Sequence, residues 1–452
     1  MSGTPGPFRA APSTGGVDDA VARLRALSAS LDTRPPRGRI VGAMGTIIRA
    51  VLPNVAVGEL CRLVDPCTGH EMEAEVVGLA GHEALLTPSG DLRGLSVAAE
   101  VFATGRPREV PVGAGLLGRV LDGVGQPLDG RGPVSRQGTR PLHGPPPPAM
   151  ARQMVERPLP LGLRVLDGLL TCAEGQRIGI YGEAGGGKST LVSQIVKGSK
   201  ADVAVVALVG ERGREVREFI ERSLGEDGLA RSVVIVATSD RPATERVSAA
   251  LTATAVAEYF RDQGARVLLF VDSVTRYARA LREIGLAAGE PPTRRGFPPS
   301  VFASLPQLLE RAGMGETGSI TAFYAVLVEG DGQGDPIAEE TRSILDGPVI
   351  LSRDLAAAGH YPAIDVLTSR SRVMPAVASA EHMAAATRLR ALLARYAEVE
   401  FLIQVGEYKP GGDALADEAV RKIEALRAFL RQGTDESTEF GGMLEWMAQL
   451  AG

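Results

Sequence analysis

The chain has 452 residues, of which 44% are hydrophobic and 23% charged, and this suits a large folded core with smaller modules around it. Its formal net charge of −5 and pI near 5.8 argue against nucleic acid as the main partner, because a phosphate backbone usually requires a basic face. The cysteines, Cys61, Cys67 and Cys172, are too few and too scattered for a disulfide framework or a metal cluster, which indicates a reducing compartment.

No stretch approaches the roughly 18 uncharged apolar residues that a membrane span needs. The N-terminus also lacks the apolar core of a secretion signal. We therefore expect a cytoplasmic protein that associates with a membrane only through partners.

The N-terminal segment, residues 1–33, is predicted to contain a disordered tail and one amphipathic helix. Residues 1–16 are rich in Gly, Pro, Ser and Thr, which is typical of disorder. The next residues have acids in the first turn and apolar side chains at helical spacing. The apolar residues are Val17, Val21, Leu24, Leu27 and Leu31, and the acids are Asp18 and Asp19. The apolar face of such a helix can dock on its own domain or on a partner, and the sequence leaves both open.

Residues 34–105 are predicted to form a small β-barrel that serves oligomerisation. Short β-type runs such as "RIVGAMGTIIRAVL", "ELCRLVD" and "EMEAEVVGL" are separated by Gly, Pro, Asn and Asp turns at close intervals. A Gly-rich stretch and the stiff "HGPPPP" segment follow, so we expect a domain boundary between 105 and 150.

The central region, residues 106–375 including a preceding linker, alternates apolar strands with helical stretches. Runs such as "QRIGIYG", "VAVVALVG", "SVVIVATS" and "RVLLFVDS" suit parallel strands that are buried on both faces. We therefore predict an α/β sheet domain here. Helices dominate after about Pro375, as in "ALADEAVRKIEALRAFLRQG", so residues 376–452 are predicted to form a helical domain.

The stretch "YGEAGGGKST", residues 181–190, matches the phosphate-loop pattern Gly182-x4-Gly187-Lys188-Ser189 between a predicted strand and a predicted helix. Glycines there let successive backbone N–H groups point at a phosphate, and the helix N-terminus adds a positive dipole end. The pattern assigns Lys188 to the β- and γ-phosphates of a nucleotide and the Ser189 hydroxyl to Mg²⁺. A flexible turn that happens to end in Lys is the alternative, and the strand and helix around the motif disfavour it.

Two acids at strand ends are candidates for the remaining chemistry of nucleotide hydrolysis. Asp272 ends "RVLLFVDS", the expected position of a carboxylate that holds the metal shell, unless it only caps the next helix. Glu211 follows "VALVG" at the same edge of the sheet, where ligands bind. A surface Glu beside Arg212 and Arg214 is the alternative, although a strand followed by Gly-Glu-Arg favours a catalytic base.

From about residue 20 to 440 the chain resembles the hexameric ATPases of type III protein export, relatives of the catalytic β subunit of rotary ATP synthases. The motifs that carry the resemblance include "PLPLGLRVLDGLL", "GEAGGGKSTL", "VGERGREVREF", "LLFVDSVTRYARALREIG", "ILDGPVILSRDLAAAGHYPAIDVL" and "SRSRVM". The resemblance implies a RecA-like P-loop ATPase core of α/β class with an N-terminal β-barrel and a C-terminal helical domain. It also implies a homohexamer that hydrolyses ATP with Mg²⁺.

The resemblance assigns site residues by position. Family members bind the nucleotide through the phosphate loop and an aromatic residue against the adenine, which here are Gly182, Gly185, Gly186, Gly187, Lys188, Ser189, Thr190 and Tyr361. Glu211 matches the water-activating base, Asp272 the metal carboxylate, and Arg212 an arginine on the γ-phosphate side. Arg372 in "SRSRVM" matches the finger inserted into the neighbouring subunit's site, where it neutralises charge in the transition state. Core packing of Tyr361 and an interface salt bridge of Arg372 are the alternatives.

The resemblance also implies partners and a place in the cell. These are a central stalk protein, a stator or regulator protein, the export gate and chaperone–effector complexes, at the cytoplasmic face of the inner membrane. The output would be the release and unfolding of export substrates. The loop "ERAGMGETGSI" is predicted to be a mobile loop at the central pore, with Glu316 facing a partner.

Other functions stay open on the sequence alone. "GGGKSTL" and "VLVEGD" favour the host-injecting branch, whereas "RRGFPPSVFA" also suits the flagellar branch, and Pro348 replaces a His that is usual in the family. A rotary ATPase catalytic subunit would need an α-type partner, and a non-catalytic subunit would usually lack Glu211. An RNA-tracking helicase would need aromatic residues in its barrel, where only Phe102 is found over residues 39–103.

Overall fold

The structure is a computed structural model that describes Val21 and residues 37–183, 185–328, 332 and 334–452. The predicted tail over 1–16 and the predicted helix over 17–31 lie outside the described residues, apart from Val21. Among the helices that the structure describes, none has the length and apolar character needed to cross a bilayer.

The first folded region is a barrel built from β1 (Arg37–Met44), β2 (Ile47–Val51), β3 (Glu59–Val64), β4 (Glu71–Ala80), β5 (Glu83–Pro88) and β6 (Glu100–Pro107). Its strands are antiparallel and close in the order β1–β2–β5–β4–β3–β6. Alternate residues point into a core that includes Ile48, Leu63, Leu86 and Val101. The predicted barrel is confirmed.

A mainly parallel sheet forms the centre of the molecule, preceded by β7 (Glu109–Val112), which pairs with β9 (Gly138–Pro141). The parallel strands are β8 (Val120–Asp122), β10 (Arg177–Gly182), β11 (Val203–Glu211), β12 (Ser232–Thr238), β13 (Arg266–Asp272), β15 (Ser319–Leu327) and β16 (Pro348–Ile350). They lie in the order β16–β10–β15–β13–β11–β12–β8. Every residue of β11 is buried. A strand that is covered on both faces needs apolar side chains at successive positions, which accounts for the continuous apolar run in its sequence.

Helices cover both faces of this sheet. They are α1 (Lys188–Gly198), α2 (Gly213–Glu218), α3 (Gly225–Ala230), α4 (Ala243–Asp262), α5 (Val274–Ala287), α6 (Pro299–Leu309), α7 (Pro336–Ile344) and α8 (Arg353–Ala357). Short 3-10 turns cover Ala114–Leu116, Ala149–Ala151 and Arg294–Gly296, and π-turns cover Val165–Leu169 and Phe219–Leu224. Residues Ala204 and Val206 belong to one hydrophobic cluster and Val203 and Val205 to another, so a core lies on each side of β11.

The C-terminal region is helical, with α9 (Met374–Val377), α10 (Ala380–Gln404), α11 (Ala414–Leu430) and α12 (Phe440–Ala451). Its core residues share one hydrophobic cluster with residues of α1, including Ile195, Phe429 and Met447. The turn between α11 and α12 also contacts α1, the helix that follows the phosphate loop, because Gln194 Nε2 donates to the Gly433 carbonyl at 2.9 Å. The fold class predicted from the sequence is confirmed, whereas the exact domain boundaries remain predictions.

The stretch predicted to be a mobile pore loop is a short hairpin. Gly313–Met314 forms β14, which pairs antiparallel with the start of β15. Met314 is buried, and the side chain of Gln153 donates to the Glu316 carbonyl at 2.6 Å. Within residues 310–320, only Glu316 and Thr317 are exposed, and they lie at the amino edge of the parallel sheet. A position at a pore remains a prediction.

Candidate active site

The phosphate loop connects the end of β10 to α1. Gly185 and Gly187 have φ values of 87° and 81°, a region that only glycine enters without strain. The Leu191 N–H donates to the Gly187 carbonyl at 3.0 Å and begins the hydrogen-bond ladder of α1. The backbone N–H groups of the first turn are therefore not used within the helix and remain available to an anion. Ser189 and Thr190 lie in this first turn, and Ser189 is exposed.

Two side chains pack closely on the loop, where only glycine fits. A Cβ at Gly182 would lie 2.8 Å from Leu351 Cβ, and one at Gly187 would lie 2.9 Å from Tyr361 Cε1. The ring of half-buried Tyr361 therefore rests against the phosphate loop. The structure brings together the predicted loop and the predicted base-contacting tyrosine, which are far apart in sequence.

A cluster of opposite charges lies beside the loop. β11 and β13 are adjacent, with Leu208 opposite Asp272, so Glu211 and Asp272 both reach the carboxyl edge of the sheet. The Lys188 ammonium forms an ion pair with Asp272 and lies 3.8 Å from Glu211 Oε1. Strand order thus gathers the predicted lysine, base and metal carboxylate in one place.

Glu211 is the most perturbed member of this cluster. Burial, followed by the nearby Asp272 carboxylate, raises the pKa of Glu211 to about 7, while Lys188 and Arg276 oppose the rise. Its Oε1 is buried and has no hydrogen-bond partner within the described residues. A buried carboxylate oxygen that accepts no hydrogen bond, next to a phosphate loop and 3.8 Å from the Lys188 ammonium, suits a base that would hold a water molecule.

Arg276 belongs to the cluster and was missed in the sequence. Its guanidinium donates to the Gly210 carbonyl, and its Nη2 lies 3.5 Å from Glu211 Oε2. A Cβ at Gly210, where φ is 70°, would lie 2.9 Å from Arg276 Cδ, so the glycine before Glu211 makes room for the arginine. The Ser273 hydroxyl caps α5 by accepting from the Arg276 N–H at 3.3 Å. Two features of the sequence could have indicated Arg276: the glycine before Glu211, and the serine cap that places Arg276 in the first turn of α5.

Two arginines predicted for the site from the sequence, Arg212 and Arg372, lie outside the cluster. Arg212 is the N-cap residue of α2. Its side chain is 78% exposed and pairs with Glu215 at 3.0 Å. Arg372 is exposed, and its guanidinium donates to the Arg342 carbonyl at 3.3 Å. Within the described residues, neither arginine contacts Lys188, Glu211 or Asp272.

The residues present fit Mg²⁺ together with a nucleotide. No group of three or more His, Cys, Asp or Glu side chains in the described part of the chain could hold a metal by itself. Mg²⁺ is commonly bound by one or two carboxylates, waters and substrate phosphates, and Asp272 and exposed Ser189 provide protein oxygens beside the loop. The Glu211 oxygen that accepts no hydrogen bond also agrees with a water-containing site.

Two family models match the chain. Residues 162–371 match the nucleotide-binding domain of the ATP synthase alpha/beta family. Residues 378–449 match the C-terminal domain of the T3SS EscN ATPase.

Similar proteins come from two kinds of export system. A type 3 secretion system ATPase of Sinorhizobium fredii is 65% identical over 96% of this chain and 96% of the relative. A flagellum-specific ATP synthase of Pseudomonas aeruginosa is 48% identical over 90% of this chain and 92% of the relative.

Solved structures of EscN, from the type III secretion system of enteropathogenic E. coli, have the same fold. The assembled ATPase gives a TM-score of 0.87 at 46% identity, over 92% of this chain and 100% of EscN. EscN in complex with its central stalk EscO gives a TM-score of 0.85 at 46% identity over the same shares.

Proposed function

Because the chain belongs to the type III secretion ATPase family and is an ATP-hydrolysing enzyme, we propose that it works as a homohexamer with its sites between adjacent ATPase domains. The observation that carries this proposal is the separation of Arg372 from its own chain's Lys188, Glu211 and Asp272. Among the residues that the structure describes, the site within one chain therefore lacks an arginine finger. An exposed arginine such as Arg372 suits insertion into the site of the neighbouring protomer. The assembled state of EscN supports the same arrangement.

The chemistry follows from the charges in the site. Glu211 would accept a proton from the attacking water, and the Lys188 ammonium would neutralise the β- and γ-phosphates. Arg372 of the neighbouring copy would stabilise the charge that develops on the transferred phosphoryl group. Bound Mg²⁺ supplies further positive charge on the phosphate oxygens, and Ser189 and Asp272 are the residues that would hold it. Tyr361 would lie against the adenine.

The output would be mechanical work on export substrates. Residues of the helical region and of α1 belong to one hydrophobic cluster. A shift of α1 on nucleotide binding would therefore change the positions of α10, α11 and α12. We propose that this motion releases substrates from chaperones and unfolds them at the export gate. A central stalk protein, as found with EscN, and a stator protein would link the ring to the cytoplasmic face of the inner membrane. Residues 34–105, 106–375 and 376–452 would be the barrel, ATPase and helical domains.

Host-directed secretion is favoured over flagellar export as the branch. Identity to the Sinorhizobium fredii secretion ATPase is 65%, against 48% to the flagellar relative from Pseudomonas aeruginosa. Flagellar export remains the second candidate, and a rotary catalytic subunit the third.

The test measures the ATPase rate per protomer over a range of protein concentrations, with light scattering on the same samples. We expect the rate per protomer to rise as the hexamer forms. Arg372→Ala should assemble but lose roughly 10³- to 10⁵-fold in rate, the range found for arginine fingers. Arg370→Ala, another exposed arginine on the same segment, is the matched control and should retain activity. A rate that is independent of concentration and of Arg372 would mean that each chain holds a complete site.

A further inference from the structure

Gln432 lies in the turn between α11 and α12, and its contacts join three parts of the chain. Its backbone N–H donates to the Tyr361 carbonyl at 2.8 Å. Its Oε1 accepts from the Arg164 backbone N–H at 2.9 Å, and its Nε2 donates to the Gly162 carbonyl at 2.7 Å and the Glu436 carbonyl at 2.8 Å. The side chain is 2% exposed, and both of its polar atoms are satisfied within the protein.

The turn that contains Gln432, residues 431–438, also contacts the phosphate-loop helix; we call it the joint segment. Gln194 Nε2 donates to the Gly433 carbonyl at 2.9 Å. Lys197 Nζ lies 3.1 Å from Asp435 Oδ1. Both side chains extend from α1, which begins at Lys188. The joint segment therefore reaches the phosphate side of the site through α1 and the Tyr361 side through Gln432.

Arg164 and Gly162 hold the joint segment from the opposite side. The buried Arg164 guanidinium donates to the Thr438 hydroxyl at 3.0 Å and forms an ion pair with Glu436. A Cβ at Gly162, where φ is 75°, would overlap the Ser437 hydroxyl, so the close approach requires glycine. These contacts leave the joint segment little freedom to shift.

We propose that Gln432 is a positioning residue for nucleotide binding, which holds Tyr361 against the phosphate loop without touching the ligand. This inference rests on the proposed function, in which the Tyr361 ring lies against the adenine. Because Gln432 is buried, a nucleotide base cannot reach its side chain, and its influence passes through the Tyr361 backbone. The C-terminal helical region thus contributes to affinity for the base, while the loop and Lys188 bind the phosphates.

The test uses steady-state ATP hydrolysis by full-length Gln432→Ala and Gln432→Asn, with inorganic tripolyphosphate as a competing ligand that has no base. We expect the KM for ATP to rise about tenfold in Gln432→Ala, because the loss of three side-chain hydrogen bonds of this buried residue loosens the segment whose backbone N–H holds Tyr361. The kcat should stay within about twofold, since ground-state and transition-state binding are weakened equally. The inhibition constant of tripolyphosphate should not change. Gln432→Asn keeps an amide that can donate and accept on a shorter side chain and should give a smaller rise.

Two further variants separate the possible outcomes. Gln263→Ala removes an exposed glutamine at the end of α4 and should behave as wild type. If Tyr361→Ala leaves KM unchanged, the base contact of the proposed function fails, and this inference fails with it. If Tyr361→Ala raises KM but the Gln432 variants do not, only this inference is wrong. Equal losses of ATP and tripolyphosphate binding would show that Gln432 merely supports the fold. Gln432→Asn carries the same test should Gln432→Ala not fold.

Discussion

Two clusters of charged side chains lie at opposite edges of the same parallel sheet. At the carboxyl edge, Lys188 faces Glu211 and Asp272. At the amino edge, Arg311 and Glu258 form a buried pair in which Nε and Nη2 donate to the two carboxylate oxygens at 2.9 and 2.8 Å. The first cluster lies beside the phosphate loop at the carboxyl ends of β11 and β13, and the second joins α4 to the segment after α6.

The two clusters differ in how completely their members are paired. Arg311 is 2% exposed, and its Nη1 also donates to the Leu142 carbonyl at 2.8 Å, so the amino-edge pair is satisfied within one chain. Glu211, by contrast, has a buried oxygen that accepts no hydrogen bond, and its pKa is raised. We infer that the amino-edge cluster serves stability, whereas the carboxyl-edge cluster is completed by ligand.

The sharpest test of this difference is Glu211→Gln. We expect kcat for ATP to fall by about 10²- to 10⁴-fold, since amide nitrogen and oxygen cannot accept the proton of the attacking water. Thermal stability should be unchanged or higher, because the substitution removes a carboxylate whose charged form is disfavoured by burial. Steady-state hydrolysis and a thermal unfolding curve on the same samples measure both effects.

Glu221→Gln, in the exposed pair with Arg217, is the control and should keep most of the activity. A Glu211→Gln protein that unfolds at markedly lower temperature would place Glu211 among the structural charges and undo the contrast between the two edges.

The converse test is Glu258→Gln at the amino edge. We expect the free energy of unfolding to fall by about 3–5 kcal/mol, because the Arg311 charge would be left buried with only part of its partners. The kcat of the folded enzyme should remain close to that of wild type. Urea unfolding measures the loss, and Glu221→Gln, in an exposed pair with Arg217, should change stability by less than about 1 kcal/mol. A normal stability but a lost kcat would reverse the roles of the two clusters.

Local signals explain why the fold could be predicted. Apolar runs bounded by turns fix the strands, and β11 is buried throughout because both of its faces meet helices. Glu211 and Asp272 could be placed because each ends a strand, and the carboxyl ends of parallel strands share one edge. Lys188 could be placed because its glycine-rich loop connects a strand to a helix.

The residues that escaped prediction depend on packing between distant segments. Arg276 reaches Glu211 only because β11 and β13 are neighbours and Gly210 leaves space. Arg212 was predicted to lie on the γ-phosphate side; its side chain is exposed and pairs with Glu215 in this structure, so that role stays a prediction. Gln432 meets Tyr361 through a backbone contact, for which the sequence has no pattern.

The pH dependence of hydrolysis offers a smaller effect that still separates the clusters. Burial and Asp272 raise the pKa of Glu211 to about 7, and the base must be deprotonated to work. In the free enzyme the active form is therefore lost as pH falls through 7, and kcat/KM should drop about tenfold per pH unit below that value. A rate profile from pH 5.5 to 8.5, over about three pH units, tests this. Glu211→Gln should lack this limb, and any slope it retains belongs to the nucleotide.

The smallest effect concerns which arginine tunes that base. Arg276 lies 3.5 Å from Glu211 and lowers its pKa, whereas Arg212 points into solvent. Arg276→Met should therefore move the acidic limb of kcat/KM upward by roughly one pH unit, the effect of losing a cation close to a carboxylate. Arg212→Met should leave the limb in place. If Arg212→Met moves it as far, then Arg212 turns toward the base when nucleotide is bound, and the role predicted for Arg212 from the sequence would hold in the working enzyme.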